Sequence, residues 1–337
     1  MRILHTYIPT DNGAPLDRAH YYCMALSALL AKRHYGHVEF YTNNKIKKSV
    51  EEIGIPYDVI NTQLLNNTTF ETFSIPKMLV YANQVEPYVH IDLDTFIFDK
   101  ISFEDKETTY STFAEGNMLH LSFLKANRQF YNTYIVNAFK LQDKLPEEFL
   151  EHVKFNYIPN MSIFGGHKHE LVAEATKYCL DIYYNNQEFF DRGFYNACIA
   201  EQLFIPAAMR MIQGGEVPPL FTFLYNGNPT YFKFINESEK RDYPFQIVSE
   251  NKSTYIDNDA DLFKNIMNNF NGVLHLNGYK DFQKAVFLIR QRIITDFNRE
   301  DIVNKIDEMF NDYIECDNIA YSYCEYLCNQ INKLQTE

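Results

Sequence analysis

Apolar and polar positions in the first third of the chain follow a strand–helix rhythm. Residues 2–8, Arg-Ile-Leu-His-Thr-Tyr-Ile, are apolar and β-prone and predict a strand. Residues 17–34 carry Leu26, Leu29 and Leu30 at helical spacing and stop near Gly36, which predicts a helix with a glycine at its end. The pattern then predicts a strand over 37–41, a helix over 45–53 closed by Gly54, and a strand over 57–60. A helix over 76–84 has Pro76 in its first turn, where the missing N–H costs nothing, and a strand over 88–93 follows. Alternation of this kind implies an α/β fold with a parallel sheet and crossover helices, and ligands in such folds sit at the carboxyl ends of the strands.

Beyond residue 100 the pattern is less regular. Strands are predicted over 109–114 and 156–164, the second running into Gly165-Gly166, which read as a turn. Helices are predicted over 170–185 and 196–211, and a Gly-, Pro- and Asn-rich loop over 214–230. A short strand over 272–276 leads into the turn Asn277-Gly278. From Phe282 onward the pattern is helical, with a break around 316–318. The division implied is an α/β unit over 1–282 and a C-terminal helical appendage over 283–337, with no internal repeat.

Composition narrows the class. At 337 residues and 46% hydrophobic content the chain buries a sizeable core and is not disordered. A net charge of −13 argues against nucleic acid as a partner, because phosphate backbones demand concentrated Lys and Arg. No stretch approaches the length of a membrane-spanning helix, and the N-terminus enters a strand with no signal-peptide core, so a cytoplasmic location is expected. Six scattered cysteines do not make a disulfide framework; Cys324 and Cys328 share a helical face and read as packing residues.

The chemistry concentrates in residues 87–98, Pro-Tyr-Val-His-Ile-Asp-Leu-Asp-Thr-Phe-Ile-Phe. Side chains i and i+2 share a strand face, so Asp92 and Asp94 are expected to point one way. Paired carboxylates at a strand end suit a hard divalent cation able to hold a diphosphate; the plainer reading is a turn or cap. His275, on a short strand before a glycine turn, would complete two carboxylates and one imidazole, a set suited to Mn²⁺. Lys280, just past Gly278, is placed to approach a phosphate. His167-Lys168-His169 reads as surface.

With those motifs, Asp92-Leu93-Asp94-Thr95 and His275-Leu276-Asn277-Gly278-Tyr279-Lys280, the chain resembles GT-A type nucleotide-sugar glycosyltransferases, nearest to the retaining glycogenin and lipopolysaccharide galactosyltransferase family. The Gly–Lys spacing is one residue shorter than in that family, and Asp281-Phe282 stands where Pro-Trp is usual. The resemblance implies a mixed sheet flanked by helices, and Mn²⁺ or Mg²⁺ held by Asp92, Asp94 and His275. It implies a nucleoside-diphosphate sugar donor, UDP by default, contacted by His5, Thr6, Lys77, Asp92, Asn160, Gly278 and Lys280. Glu201, Gln202 and Lys280 take the catalytic roles, and the acceptor is a glycan or lipid-linked glycan; bacterial surface polysaccharide synthesis is the setting expected from the Asn- and Lys-rich composition, typical of an AT-rich genome, and the cytosolic character. Each residue has a plainer reading: Lys77 as a solvated helix residue, Glu201-Gln202 as an exposed helix face.

Two rival functions remain at this stage. A haloacid-dehalogenase-like phosphatase also carries Asp-x-Asp, but Thr95 stands where it needs glycine and no Gly-Asp dipeptide occurs. A sugar-binding scaffold without catalysis need not keep three ligands. Val286, Phe287, Ile289, Ile293, Ile294 and Phe297 form an apolar stripe for the α/β unit, a second copy in a homodimer, or weak peripheral contact with the inner membrane face.

Overall fold

The computed structural model describes residues 1–9, 16–66, 70, 72–112, 114–116, 135–154, 158–191, 194–214, 221–223, 230–236, 241–248, 273–275 and 283–310. In chain order the elements begin with β1 (Arg2–Thr6), α1 (Arg18–Tyr35), β2 (Val38–Tyr41), α2 (Asn44–Ile53), β3 (Val59–Asn61), α3 (Ser74–Ala82) and β4 (Tyr88–Ile91). Next come β5 (Thr95–Ile97), β6 (Thr109–Ser111), β7 (Ala114–Gly116), α4 (Glu147–Lys154), β8 (Ile158–Pro159) and β9 (Ile163–Gly166). The helices α5 (His169–Asn185), α6 (Gln187–Phe190) and α7 (Phe194–Cys198) lead into a π-helical turn (Ile199–Leu203) and α8 (Phe204–Ile212). The strands β10 (Phe221–Phe223), β11 (Thr230–Asn236), β12 (Arg241–Val248) and β13 (Val273–His275) precede α9 (Gln283–Phe297) and α10 (Glu300–Met309).

The main sheet has seven strands in the order β10-β6-β9-β4-β1-β2-β3. β1 to β4 are parallel, as the alternation predicts. β9 runs antiparallel between β4 and β6, so the sheet is mixed. The helix ends follow local chemistry: the Asp17 carboxylate accepts from the His20 amide at the start of α1, and Gly36 at φ 80° ends it.

Period-2 alternation divides the core between the two sheet faces. Leu4, Tyr88 and Phe164 pack with Tyr81 of α3, Phe149 of α4, Cys179 of α5 and Phe204 of α8. On the other face Leu26 of α1 packs with Phe40, Phe96 and residues of α9 and α10. Ile289, Ile293, Ile302, Val303 and Ile306 are all fully buried there. Two residues of the C-terminal apolar stripe, Ile289 and Ile293, therefore serve this core, while Phe287 is exposed. The helical break comes at Asn298, whose φ is 53°; the break expected around 316–318 lies outside the described residues. No helix among the described residues is long and apolar enough to cross a membrane.

Three sequence expectations need correction. The strand expected over 156–164 is two strands, β8 and β9, separated by a turn at Asn160 to Ser162. Gly165 and Gly166 are not a turn but the end of β9, paired with Val89 and Tyr88 on one side and with Tyr110 and Thr109 on the other. Their φ values of 130° and 146° strain any other residue, and a Cβ on Gly165 would lie 2.5 Å from the Tyr88 carbonyl oxygen. The loop expected over 214–230 contains β10, which extends the sheet at its edge.

Gly165→Ala is expected to lower stability by roughly 2–5 kcal/mol, combining an unfavourable φ with overpacking against backbone. Gly36→Ala, with open space around its Cβ position, is expected to lose only about 1 kcal/mol. Urea unfolding of the two variants checks the difference.

Candidate functional site

From β1 the chain moves outward to β2 and β3, then returns to place β4 on the opposite side of β1. The sheet therefore has its topological switch point between β1 and β4, and the crevice beyond their carboxyl ends is where open α/β sheets bind ligands. Thr6 ends β1 and Asp92 follows β4, so the sequence candidates fall at this point.

The strand stops at Ile91, and the two aspartates belong to a turn. The Asp92 amide donates to the Ser162 carbonyl at 2.8 Å, and the Asp92 carbonyl accepts from the Thr95 amide at 3.0 Å. The expectation that one strand face carries both carboxylates is thus replaced by a tight turn between β4 and β5, with Asp94 buried and Asp92 half-buried. Asn160 shapes the support. Its Oδ1 accepts from the Ser162 amide at 3.0 Å, and Ser162 and Thr112 share a hydroxyl hydrogen bond at 2.7 Å. β5 then pairs antiparallel with β13, and the register sets His275 directly opposite Thr95, the residue after Asp94. For His275 it is this backbone position that is described; Gly278 and Lys280 lie outside the described residues.

Lys77 is not solvated. Its Nζ donates to Asp92 Oδ1 at 3.2 Å and lies 3.1 Å from Glu201 Oε1. Glu201 is not on an exposed face either: it is 2% exposed, in the π-helical turn, with Gln202 half-buried beside it. The Tyr81 hydroxyl donates to Glu201 Oε1 at 3.1 Å. With its one proton so used, Tyr81 accepts from His90 Nδ1 at 3.3 Å, which fixes His90 as the Nδ1–H tautomer. A hydrogen-bonded chain thus runs from His90 through Tyr81, Glu201 and Lys77 to Asp92.

His5 is fully buried on the α1 face, not open toward a ligand. Its Nδ1 lies 3.0 Å from the Tyr57 hydroxyl and its Nε2 3.4 Å from Ser27 Oγ, so both ring nitrogens are engaged inside the protein. Among the described side chains no three His, Cys, Asp or Glu residues group closely enough to hold a metal ion. Lys168 pairs with Glu107 on the surface, in keeping with the plain reading of His167-Lys168-His169.

The model of a family of unknown function, DUF6734, matches residues 5–270. The chain belongs to this family. No curated protein matches it. The family match includes Lys77, Asp92, Asp94, Asn160, Glu201 and Gln202, and it stops short of His275.

Burial and neighbouring charge set the protonation states. Burial alone would lower the Lys77 pKa, but the charges of Asp92 and Glu201 outweigh it and hold the ammonium above its usual value. Burial and the Asp92 charge push Glu201 up, against the pull of Lys77 and Tyr81. Burial drives His90 well below its ordinary value, with Lys77 adding to the shift. His5 falls to about 3, from burial first and the neighbouring His90 second.

Sequence reasoning missed Tyr81, His90, Ser27 and Tyr57. Two carried a usable signal: Tyr81 is four residues after Lys77 and shares its helix face, and His90 is two before Asp92 on the strand.

Lys77→Met leaves the buried Glu201 and the half-buried Asp92 without their cation and is expected to cost about 3 kcal/mol. Adding Glu201→Gln is expected to recover part of this, giving a coupling in a double-mutant cycle of urea unfolding. For His5, the unfolded chain takes up a proton below about pH 6.5 and the native protein only near pH 3. Stability from a neutral His5 is therefore complete above pH 6.5 and is lost as pH falls. Between pH 6 and 5 the wild type is expected to lose about 1 kcal/mol more than His5→Gln, read from unfolding at the two pH values.

Proposed function

We propose that this chain is a metal-dependent glycosyltransferase of the GT-A type, moving a sugar from a nucleoside-diphosphate donor to a hydroxyl of a glycan or lipid-linked glycan. The observation that carries the reading is the β5–β13 register, which sets His275 opposite Thr95 and so beside the Asp92–Asp94 turn. The mixed sheet supports it too: an antiparallel strand lies next to β4, and a small second sheet, β11-β12-β13-β5, brings a distant segment to the switch point.

Two carboxylates and an imidazole residue fit Mn²⁺ or Mg²⁺ by donor type, and Asp92, Asp94 and His275 would hold it. When bound, the metal would supply charge neutralisation to a departing diphosphate. The protein's own contribution begins with Lys77, kept charged by its two carboxylates beside Asp92. Glu201 Oε1 already receives Tyr81 and lies against Lys77, so this carboxyl group is held in place and is not a mobile base. That suits stabilisation of a developing sugar cation, in line with the retention of configuration that the family resemblance implies. Thr6 ends β1 and Asn160 supports the turn after β4 at the same end of the sheet, and Gln202 stands next to Glu201 in the π-helical turn. A cytoplasmic setting, and a role in surface polysaccharide synthesis, belong to this proposal.

Calorimetric titration with UDP, with and without Mn²⁺, tests the reading on the wild type and Asp94→Asn. Mn²⁺-dependent binding that weakens at least 10-fold in the variant is expected. Absence of binding by UDP, GDP and CDP in every condition would sink the transferase reading.

A further inference from the structure

The fully buried His5 is bound into a directed set of hydrogen bonds. Ser27 Oγ donates to the Thr95 carbonyl at 2.9 Å, and that carbonyl has no proton to return. The single Ser27 proton is therefore spent, so at the 3.4 Å contact His5 Nε2 is the donor and Ser27 Oγ the acceptor. A neutral imidazole protonated on Nε2 carries a lone pair on Nδ1, and the Tyr57 hydroxyl lies 3.0 Å from that nitrogen. Every donor then meets one acceptor, in one direction: Tyr57 to His5, His5 to Ser27, Ser27 to Thr95.

The direction follows from its end point, because a backbone carbonyl only accepts. Tyr57 is itself fixed by stacking on Phe40, with ring centres 4.7 Å apart and planes 13° apart. His5 also meets the edge of the Tyr57 ring. The far end is tied to a packed aromatic pair beside β2. The near end holds the carbonyl of the residue that closes the Asp92–Thr95 turn and faces His275 across the β5–β13 ladder.

We infer that Tyr57, His5 and Ser27 form a one-way relay of positioning residues that anchors the Asp92–Thr95 turn from the α1 side of the sheet. Its bearing on metal affinity rests on the proposed transferase reading; the relay itself does not. None of the three is a catalytic residue, and His5 acts on the site through Ser27 and Thr95, not by touching a nucleotide. Holding Thr95 in place fixes both the turn that carries Asp92 and Asp94 and the strand register that delivers His275. Partners that orient metal ligands from behind typically change metal affinity 10–100-fold when removed.

The test uses the full chain. In a ¹⁵N–¹H long-range spectrum of histidine-labelled protein, His5 is expected as the Nε2–H tautomer; an Nδ1–H tautomer overturns the inference. In Ser27→Ala, amide hydrogen exchange over residues 92–97 is expected to speed up about 10-fold while the α3 amides hold their rates; unchanged exchange over 92–97 overturns it. Tyr57→Phe, which removes the donor to Nδ1 and leaves the Ser27–Thr95 end intact, is expected to keep His5 as the Nε2–H tautomer, and a switch to Nδ1–H overturns the relay. Mn²⁺ alone, followed by electron paramagnetic resonance, is expected to bind about 10-fold more weakly to Ser27→Ala, with recovery in Ser27→Thr. Should the wild type bind no Mn²⁺, the transferase reading fails, and the relay stands or falls on the tautomer and exchange results.

Discussion

Burying one ammonium between two carboxylates is the constraint on which the site depends. Lys77 comes from α3, Asp92 from the turn after β4 and Glu201 from the π-helical turn before α8, so three separate elements meet at one nitrogen. Removing these charges from water is costly, and the attraction among them repays that cost only when hydrogen bonds satisfy the remaining valences. Tyr81 meets that condition for Glu201, and His90 meets it for Tyr81. The π-helical turn belongs to the same constraint: the Phe204 amide bonds to the Ile199 carbonyl, five residues back, in the segment that carries the buried Glu201. A widened turn of this kind departs from the best helical hydrogen bonding and is characteristic of functional sites.

The second constraint is the antiparallel strand. β9 lies between β4 and β6, and its two glycines allow the neighbouring backbones to approach where any side chain would collide. Immediately before it, Asn160 and Ser162 turn the chain, and the Ser162 carbonyl receives the Asp92 amide. The segment that completes the sheet beside β4 also supports the turn in which the aspartates sit. Sheet closure and site geometry are one arrangement at this point.

Sequence reasoning recovered what periodicity encodes. β1 to β4 and their linking helices follow from alternating apolar runs with polar caps, because each element buries one face or stripe against its neighbours. It failed where tertiary context decides. Gly165-Gly166 carries the composition of a turn, and only the close approach of Tyr88 and Thr108 explains two glycines in a strand. β12 contains Pro244, which ordinarily argues against a paired strand; among the described residues β13 pairs with 246–248 and not with Pro244. For the site, Asp92 and Asp94 stood out as a pair of like residues. Lys77 and Glu201 could be named as candidates, but their burial and contact join residues 124 positions apart, which no local pattern encodes.

Two of the buried histidines, His5 and His90, show why a polar ring, and not an apolar one, lies beneath this turn. His90 on the α3 face and His5 on the α1 face are both neutral, each made so chiefly by burial. A neutral imidazole is one donor and one acceptor on a rigid frame, so it sets the direction of a neighbour's hydrogen bond without adding charge; His5 does so at both ring nitrogens, His90 at Nδ1, its buried Nε2 meeting no partner among the described residues. His90 protonated on Nδ1 directs Tyr81 toward Glu201, and His5 protonated on Nε2 directs Ser27 toward Thr95. The opposite tautomers follow from the partners alone. Both sides of the sheet therefore support the turn while leaving its charge to side chains such as Asp92, Glu201 and Lys77. The carboxylates of Asp92 and Asp94, and not the histidines behind them, are what a divalent cation at the proposed site would take as ligands.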